Sequence, residues 1–139
     1  MNRNTFRIIS ILLILVNSLG ALAGGAGLMN DPSGKGNQLA LEWLKHTPFH
    51  DFFIPGLILF TVNGLFGLAV LAMIFFRHPR YPIFIVIQGI LLGGWILIQM
   101  LMLPTIHLLQ IIFMCIAMIL VVLGLLQFRL RKPDPFNHE

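Results

Sequence analysis

The sequence predicts an all-α, polytopic membrane protein: an antiparallel bundle of four transmembrane helices with one outer loop that carries a short interfacial helix. The first observation is composition, because 58% of the 139 residues are hydrophobic and only 10% are charged, against about 25% charged residues in soluble proteins. The second is that the apolar residues form four stretches without Asp, Glu, Lys or Arg. The third is the placement of the basic residues, which assigns each connection to one side of a membrane.

The four stretches have the length of membrane-spanning helices within a single transmembrane domain, 1–139. The predicted spans are residues 8–29, 54–76, 81–103 and 106–128. Each has about 22 residues, which as an α-helix reach about 33 Å and cross a hydrocarbon core of about 30 Å. Backbone in lipid must satisfy its own hydrogen bonds, so the spans are helices or strands of a closed barrel. Barrel strands alternate polar and apolar residues, and these stretches do not, so we predict helices.

The basic residues predict the orientation of the chain. If it crosses the membrane four times, one side holds Arg3, Arg7, Arg77, Arg80, Arg129, Arg131 and Lys132. The other side holds only Lys35 and Lys45, beside acidic residues. The positive-inside rule then places both termini, and the tail 129–139, in the cytoplasm. We interpret the pI of about 10.0 as an orientation signal, with some attraction to anionic lipid, and expect no nucleic-acid partner.

The first span also has features of a secretory signal peptide. Arg3 and Arg7 precede an apolar stretch that reaches Ala21-Leu22-Ala23, where cleavage would leave three spans. We expect a retained helix, because the apolar stretch continues to Met29 and is long enough to cross the membrane. Gly20 and Gly24 also form a small-xxx-small pair suited to helix packing.

The outer loop, residues 30–53, is the only sizeable connection. Its Asp-Pro-Ser-Gly start is typical of a turn, and residues 39–45 are amphipathic, so we predict a short interfacial helix anchored by Trp43. Thr47-Pro48 resembles an N-cap followed by a first-turn proline of the second span. Pro55-Gly56 is then expected to kink or restart that helix. Residues 77–80 and 104–105 are predicted tight turns.

Polar side chains inside the spans are the first candidate site. They must face inward, because an unpaired amide in hydrocarbon costs several kcal/mol. One interpretation is hydrogen bonding between helices, which we favour from the sequence; the other is a polar cavity closed by Trp95 that holds a lipid headgroup, a quinone or a small solute. The candidate residues are Asn63, Gln88, Trp95, Gln99 and Gln110.

Polar groups on the outer face are the second candidate site. The candidates are Asp31, His50, Asp51 and His107, with Glu42 and His46 nearby in the sequence. Two or three of them could form a metal site or an acid/base pair. However, Thr47-Pro48 interrupts the helix that would align His46 with His50, and Asp51 has a capping role. We therefore predict no metal site, no cofactor and no catalytic residue. The single cysteine, Cys115, is expected to be a packing residue.

A set of short motifs carries a resemblance to a known group of proteins. The motifs are Gly24-Gly25, Asp31-Pro32-Ser33-Gly34, Thr47-Pro48-Phe49, Asp51-Phe52, Pro55-Gly56, Gly64, Gly94-Trp95-Ile96 and Gln99. Over residues 20–110 the chain resembles the uncharacterised small bacterial integral membrane proteins with four spans. The resemblance implies the same bundle with one outer loop and a bacterial inner-membrane location, and it implies no activity.

These observations predict a non-enzymatic membrane protein that acts through helix packing, as an accessory or scaffold subunit or as a homo-oligomer. No span contains an ionised side chain, which argues against a pump or an ion-coupled transporter. The alternative is a protein that binds a lipid, a quinone or a small solute, or an oligomeric permeation pathway. A membrane enzyme that uses the outer-face histidines and acids is the third possibility. The expected partners are the lipid bilayer and a second copy of the chain or another membrane protein.

Overall fold

The computed structural model describes residues 3–35, 41–45, 47–102 and 106–130, and the regular structure in these ranges is helical. The predicted turn at residues 104–105, His46 and the tail beyond residue 130 lie outside the described residues. Four helices are long and apolar enough to cross a membrane. They are α1 (Arg3–Asn30), α2 (Phe53–Phe75), α3 (Tyr81–Met102) and α4 (Leu108–Leu130). The predicted fold class is confirmed.

The helices form a closed ring of neighbours. Each packs against the next in the chain, and α4 packs against α1, so that α1 lies diagonally opposite α3. The bundle therefore has two ends. We call the end with residues 31–52 the loop end. The opposite end carries the start of α1, the turn 76–80 and the end of α4; we call it the basic end, because Arg7, Arg77, Arg80 and Arg129 lie there.

Helix α2 begins later than the sequence indicates. Thr47 and Pro48 lie in a bend before the helix, where Thr47 Oγ1 donates to the Leu44 carbonyl and accepts from Phe49 N–H. The helix starts at Phe53, whose N–H donates to Asp51 Oδ1 at 3.0 Å. The prediction that Thr47-Pro48 opens the span is therefore wrong. The cause is local: the Thr47 side chain closes its own turn, and the Asp51 carboxylate takes the N–H at the helix start.

The irregularity of α2 lies one turn beyond Pro55-Gly56. Those two residues sit in the first turn, where a missing proline N–H leaves no hydrogen bond unmade. The chain then forms a π-helix over Leu59–Leu65 before returning to α-helix at Phe66–Phe75. Phe66 N–H donates to the Thr61 carbonyl, five residues back, and Thr61 Oγ1 donates to the Leu57 carbonyl at 2.8 Å. The change of hydrogen-bond pattern in α2 therefore lies in this π segment.

The closest approach between α1 and α2 uses different glycines from those predicted. A Cβ on Gly25 would lie 2.6 Å from the Gly56 carbonyl oxygen, and a Cβ on Gly56 would lie 2.6 Å from Leu28 Cβ. At Gly20 and Gly24 the nearest atoms would be 3.8 Å and 3.5 Å away, which is ordinary van der Waals contact. Gly20 and Gly24 therefore face neighbouring helices without needing to be glycine, whereas glycine is required at Gly25 and Gly56, where the two backbones meet.

The core consists of apolar layers with polar contacts between them. The layer nearest the basic end is built around Ile14, Val70, Ile74, Ile85 and Leu120. Beside it Gln127, which is fully buried, accepts from Tyr81 O–H at 3.1 Å and donates to Ser10 Oγ at 2.9 Å. This chain of hydrogen bonds joins α1, α3 and α4. Cys115, expected to be a packing residue, is exposed on α4.

The described part of the connection, residues 31–35, 41–45 and 47–52, contacts the bundle. Its short helix is a single 3₁₀ turn, Leu41–Leu44, and Leu44 is buried with Leu28 of α1 and Phe52. The two ends of the connection meet where Phe52 N–H donates to the Pro32 carbonyl at 2.9 Å. At the loop end, Leu44 and Phe52 therefore cover Leu28 of α1.

Candidate functional site

The polar residues predicted from the spans separate into two groups. Asn63, in the π segment of α2, and Gln88 of α3 are both fully buried and bond to each other, Gln88 Nε2 donating to Asn63 Oδ1 at 3.3 Å. They do not line the cavity described next. This pair forms the helix-to-helix hydrogen bond that the packing interpretation expects. Trp95, Gln99 and Gln110 belong to the second group.

A cavity of about 330 Å³ lies between the helices in the half of the bundle nearer the loop end. Helix α1 contributes three of its lining residues, α2 one, and α3 and α4 the rest. They are Asn17, Gly20, Ala21, Leu59, Leu92, Trp95, Ile96, Gln99, Leu109, Gln110 and Phe113. The volume falls at the lower end of the range for ligand pockets, about 300–1,000 Å³. It admits a single ring or a head group and no whole lipid.

Three buried N–H donors in the cavity wall have no hydrogen-bond partner among the described residues: Asn17 Nδ2, Trp95 Nε1 and Gln110 Nε2. The side chains are 2%, 5% and 4% exposed, so water around the protein does not satisfy them. An unsatisfied buried donor costs about 1–3 kcal/mol. Three residues that carry such donors line one space, and each donor needs an acceptor that the described residues do not supply.

Packing and hydrogen bonds fix two of these donors. Gln110 Oε1 accepts from His107 N–H at 3.1 Å at the start of α4, which leaves Nε2 as the end of the amide without a partner. Trp95 is held by an apolar layer with Leu92, Ile96 and Ala117. The indole N–H can only donate. The unpartnered groups of Gln110 and Trp95 are therefore hydrogen-bond donors, and a ligand would have to supply acceptor atoms to pair with them.

The rest of the wall is apolar and uncharged. None of the lining residues is ionisable. Most are buried or half-buried; the two exposed ones are Gly20 on α1 and Leu109 on α4. The cavity therefore reaches the protein surface where α1 and α4 meet, on the side that faces lipid in a membrane.

The outer-face candidates predicted from the sequence lie at the loop end and do not form one site. Asp31 Oδ1 accepts from Ser33 Oγ at 2.6 Å, Asp51 Oδ1 accepts from Phe53 N–H, and the side chains of His50 and His107 are exposed. Within the described ranges, which omit His46, no three His, Cys, Asp or Glu side chains lie close enough to hold a metal ion. The two aspartates thus accept hydrogen bonds from residues two positions further along the chain.

Sequence reasoning missed one of the three donors. Asn17 is visible in the first span as a polar residue, yet it was not placed with Trp95 and Gln110. The signal that could have found it is the same burial rule, since an amide at mid-span must face inward. The apolar wall residues, such as Ala21 and Leu59, carry no signal in the sequence, because their place in the cavity depends on how α1 and α2 rotate.

Comparison of the chain with protein-family models, with curated proteins and with solved structures finds no match. The resemblance to small bacterial four-span proteins therefore stays a prediction. The functional proposal rests on the chemistry of the cavity.

Proposed function

We propose that this chain is a non-enzymatic integral membrane protein that binds a neutral, carbonyl-bearing amphiphile in the cavity between its helices. The observation that carries the proposal is that three residues lining one apolar, uncharged space each hold a buried N–H donor without a partner among the described residues. We further propose a bacterial inner membrane with both termini in the cytoplasm, which the basic residues and the resemblance support.

The donor set selects the ligand class. Carbonyl oxygens of a quinone ring or of a lipid ester accept hydrogen bonds without a charge. The wall carries no Lys or Arg to neutralise an anion, so a phosphate or carboxylate is disfavoured. The apolar residues cover the ring or glycerol backbone, and the tail leaves between Gly20 and Leu109 into the bilayer. A hydrophilic solute is disfavoured, because its polar groups would find few hydrogen-bond partners in this apolar wall.

Native mass spectrometry of gently solubilised protein tests the proposal. We expect one small molecule per chain to remain bound. Trp95→Phe removes one N–H and keeps the ring, so it should weaken binding about five- to tenfold, the value of one hydrogen bond. Trp43→Phe is the matched control, since the other tryptophan lies in the loop and not in the cavity wall. Ala21→Leu fills the space and should abolish binding.

The ligand source is decided by two probes. In the Trp43→Phe variant Trp95 is the only tryptophan, so a short-chain ubiquinone that enters the cavity should quench its fluorescence saturably. A dioleoylglycerol probe should compete if lipid esters are the natural ligand. Saturable binding of either probe that Ala21→Leu removes supports the proposal. If neither binds, or if Ala21→Leu changes nothing, the proposal is wrong.

The function that the sequence favoured, an accessory or scaffold subunit or a homo-oligomer that acts through helix packing, stays a prediction. The bond between Asn63 and Gln88 is intramolecular packing and identifies no partner. Ligand binding is preferred here because three residues with an unpartnered N–H line the same open space, whereas Asn63 and Gln88 do not line it.

A further inference from the structure

A second cavity lies at the basic end, remote from the first, and the proposal drawn from it goes beyond the proposed function. Its volume is about 250 Å³. It lies between the start of α1 and the turn that joins α2 to α3. The lining residues are Asn4, Arg7, Arg77, His78, Pro79 and Tyr81.

The charge of this cavity is uncompensated within the described part of the chain. Arg7 and Arg77 bring two guanidinium groups to its wall. The described carboxylates, Asp31, Glu42 and Asp51, all lie at the loop end. Arg7 Nε is buried and has no hydrogen-bond partner among the described residues. A half-buried guanidinium whose Nε–H has no partner among the described residues therefore lines a positively charged cavity.

The turn holds its groups in fixed positions. Arg77 N–H donates to the Ile74 carbonyl and His78 N–H to the Met73 carbonyl, the pair of bonds of a Schellman motif. Arg77 occupies the left-handed position of this motif, with φ of 54°, where glycine is the usual residue. His78 Nδ1 accepts from Arg80 N–H at 3.1 Å, so a neutral ring carries its proton on Nε2. The fold thus presents an arginine where backbone geometry favours glycine.

We propose that this cavity binds the oxyanion of a phosphate group. The guanidinium fork matches two phosphate oxygens, and the Asn4 amide, if it turns inward, adds a neutral donor. The site lies where α1 begins and α2 ends, at the depth of lipid headgroups if the helices span a membrane. Basic pockets between transmembrane helices at this level bind anionic lipids. A free phosphate offers the same chemistry.

The test uses the full chain in detergent, titrated with dioleoylphosphatidylglycerol and read by native mass spectrometry. Arg7→Gln and Arg77→Gln should each weaken binding about fivefold, the contribution of one arginine near an anionic surface. Arg129→Gln is the matched control: it removes the same charge at the same end, and Arg129 does not line the cavity. If Arg129→Gln weakens binding as much as the other two variants, only general attraction is at work and the proposal fails.

Two further arms identify the source of the phosphate. Dioleoylglycerol has the same tails without the phosphate, and its binding should not depend on Arg7 or Arg77. Sodium phosphate is then compared with sodium chloride at equal ionic strength. Displacement of the anionic lipid by phosphate indicates a site for a free phosphate, whereas retention of the lipid indicates a headgroup site. If neither phosphatidylglycerol nor phosphate binds in a manner that depends on Arg7 or Arg77, the proposal is overturned, whatever the loop-end cavity binds.

Discussion

Gln127 shows how much a single buried amide can organise in a small membrane bundle. It is fully buried, and its side chain contacts α3 through Tyr81, α1 through Ser10 and its own helix through the Leu123 carbonyl. Ser10 Oγ in turn donates to the Phe6 carbonyl at 2.8 Å. Hydrogen bonds between membrane helices contribute about 0.6 kcal/mol on average and up to about 1.7. Gln127 takes part in two of them, so it ties three helices at the basic end.

We therefore expect Gln127→Leu to lower the free energy of unfolding by about 1–2 kcal/mol, because it removes the acceptor of Tyr81 O–H and the donor to Ser10. Unfolding by sodium dodecyl sulfate, followed by circular dichroism, measures the change. Tyr81→Phe removes only one of the two bonds between helices and should cost less than Gln127→Leu. An unfolding midpoint of Gln127→Leu equal to that of the unsubstituted protein would show that the chain of bonds adds nothing.

For Arg77 we predict the opposite effect: substitution by glycine should raise the free energy of unfolding. A left-handed conformation costs a residue with a Cβ about 1–2 kcal/mol, and glycine adopts it freely. Part of that gain is lost to the greater freedom of glycine in the unfolded chain. Arg77→Gly should thus stabilise the protein by about 0.5–1 kcal/mol in the same unfolding assay, while it weakens phosphatidylglycerol binding. A destabilised variant would mean that the arginine side chain supports the fold.

At the scale of the helix, α2 is the element where sequence and structure differ most. Hydropathy locates its ends closely, because burial in lipid depends only on how apolar each stretch is. The π segment Leu59–Leu65 could not be predicted, since a change of hydrogen-bond register depends on what both flanks must contact. On one flank Gly56 has to meet α1, and within the segment Asn63 has to reach Gln88. The extra residue of a π turn lets both contacts be made.

The glycines show the same limit of prediction. A chain with 13 glycines offers many spaced pairs, and only the rotation of one helix against its neighbour decides which pair is buried. Gly25 and Gly56 meet across α1 and α2, while Gly94 has nothing within 4 Å of a Cβ position. The candidate site follows this pattern too. Trp95, Gln99 and Gln110 were recognisable as inward-facing polar residues, whereas the cavity that unites them with Asn17 depends on the packing of all four helices.

Gly25→Ala should destabilise the bundle by about 1–3 kcal/mol, because its Cβ would meet backbone atoms of Gly56 and Phe60 that cannot move independently. Gly94→Ala is the matched control: the same change in an exposed helical position should leave stability unchanged or raise it by a few tenths of a kcal/mol. Thermal unfolding of both variants in one detergent distinguishes them. Equal midpoints for the two variants would mean that α1 and α2 can separate at little cost.

At the scale of the whole molecule, side-chain hydrogen bonds join the helices at the basic end and in the middle, through Gln127 and through the pair Asn63 and Gln88. Buried polar atoms without a partner among the described residues occur in both halves of the bundle, and three of them belong to residues that line the loop-end cavity. At the loop end Leu44 and Phe52, from the described part of the connection 31–52, pack against Leu28 of α1. Under the proposed function we expect a ligand to enter between α1 and α4, where the exposed residues of the cavity wall lie.

The distribution of charge over the whole molecule predicts its orientation in the membrane. Arg7, Arg77, Arg80 and Arg129 lie at one end of the bundle, and moving such a group through a bilayer is costly, so the basic end should face the cytoplasm. Single cysteines test this in a Cys115→Ala background, which removes the chain's own cysteine. Lys45→Cys in intact cells should react with a membrane-impermeant maleimide, whereas Arg80→Cys should react only after permeabilisation. Both positions are exposed, so access to the reagent decides the result. The reverse pattern would invert the protein and place the arginine cavity outside the cell.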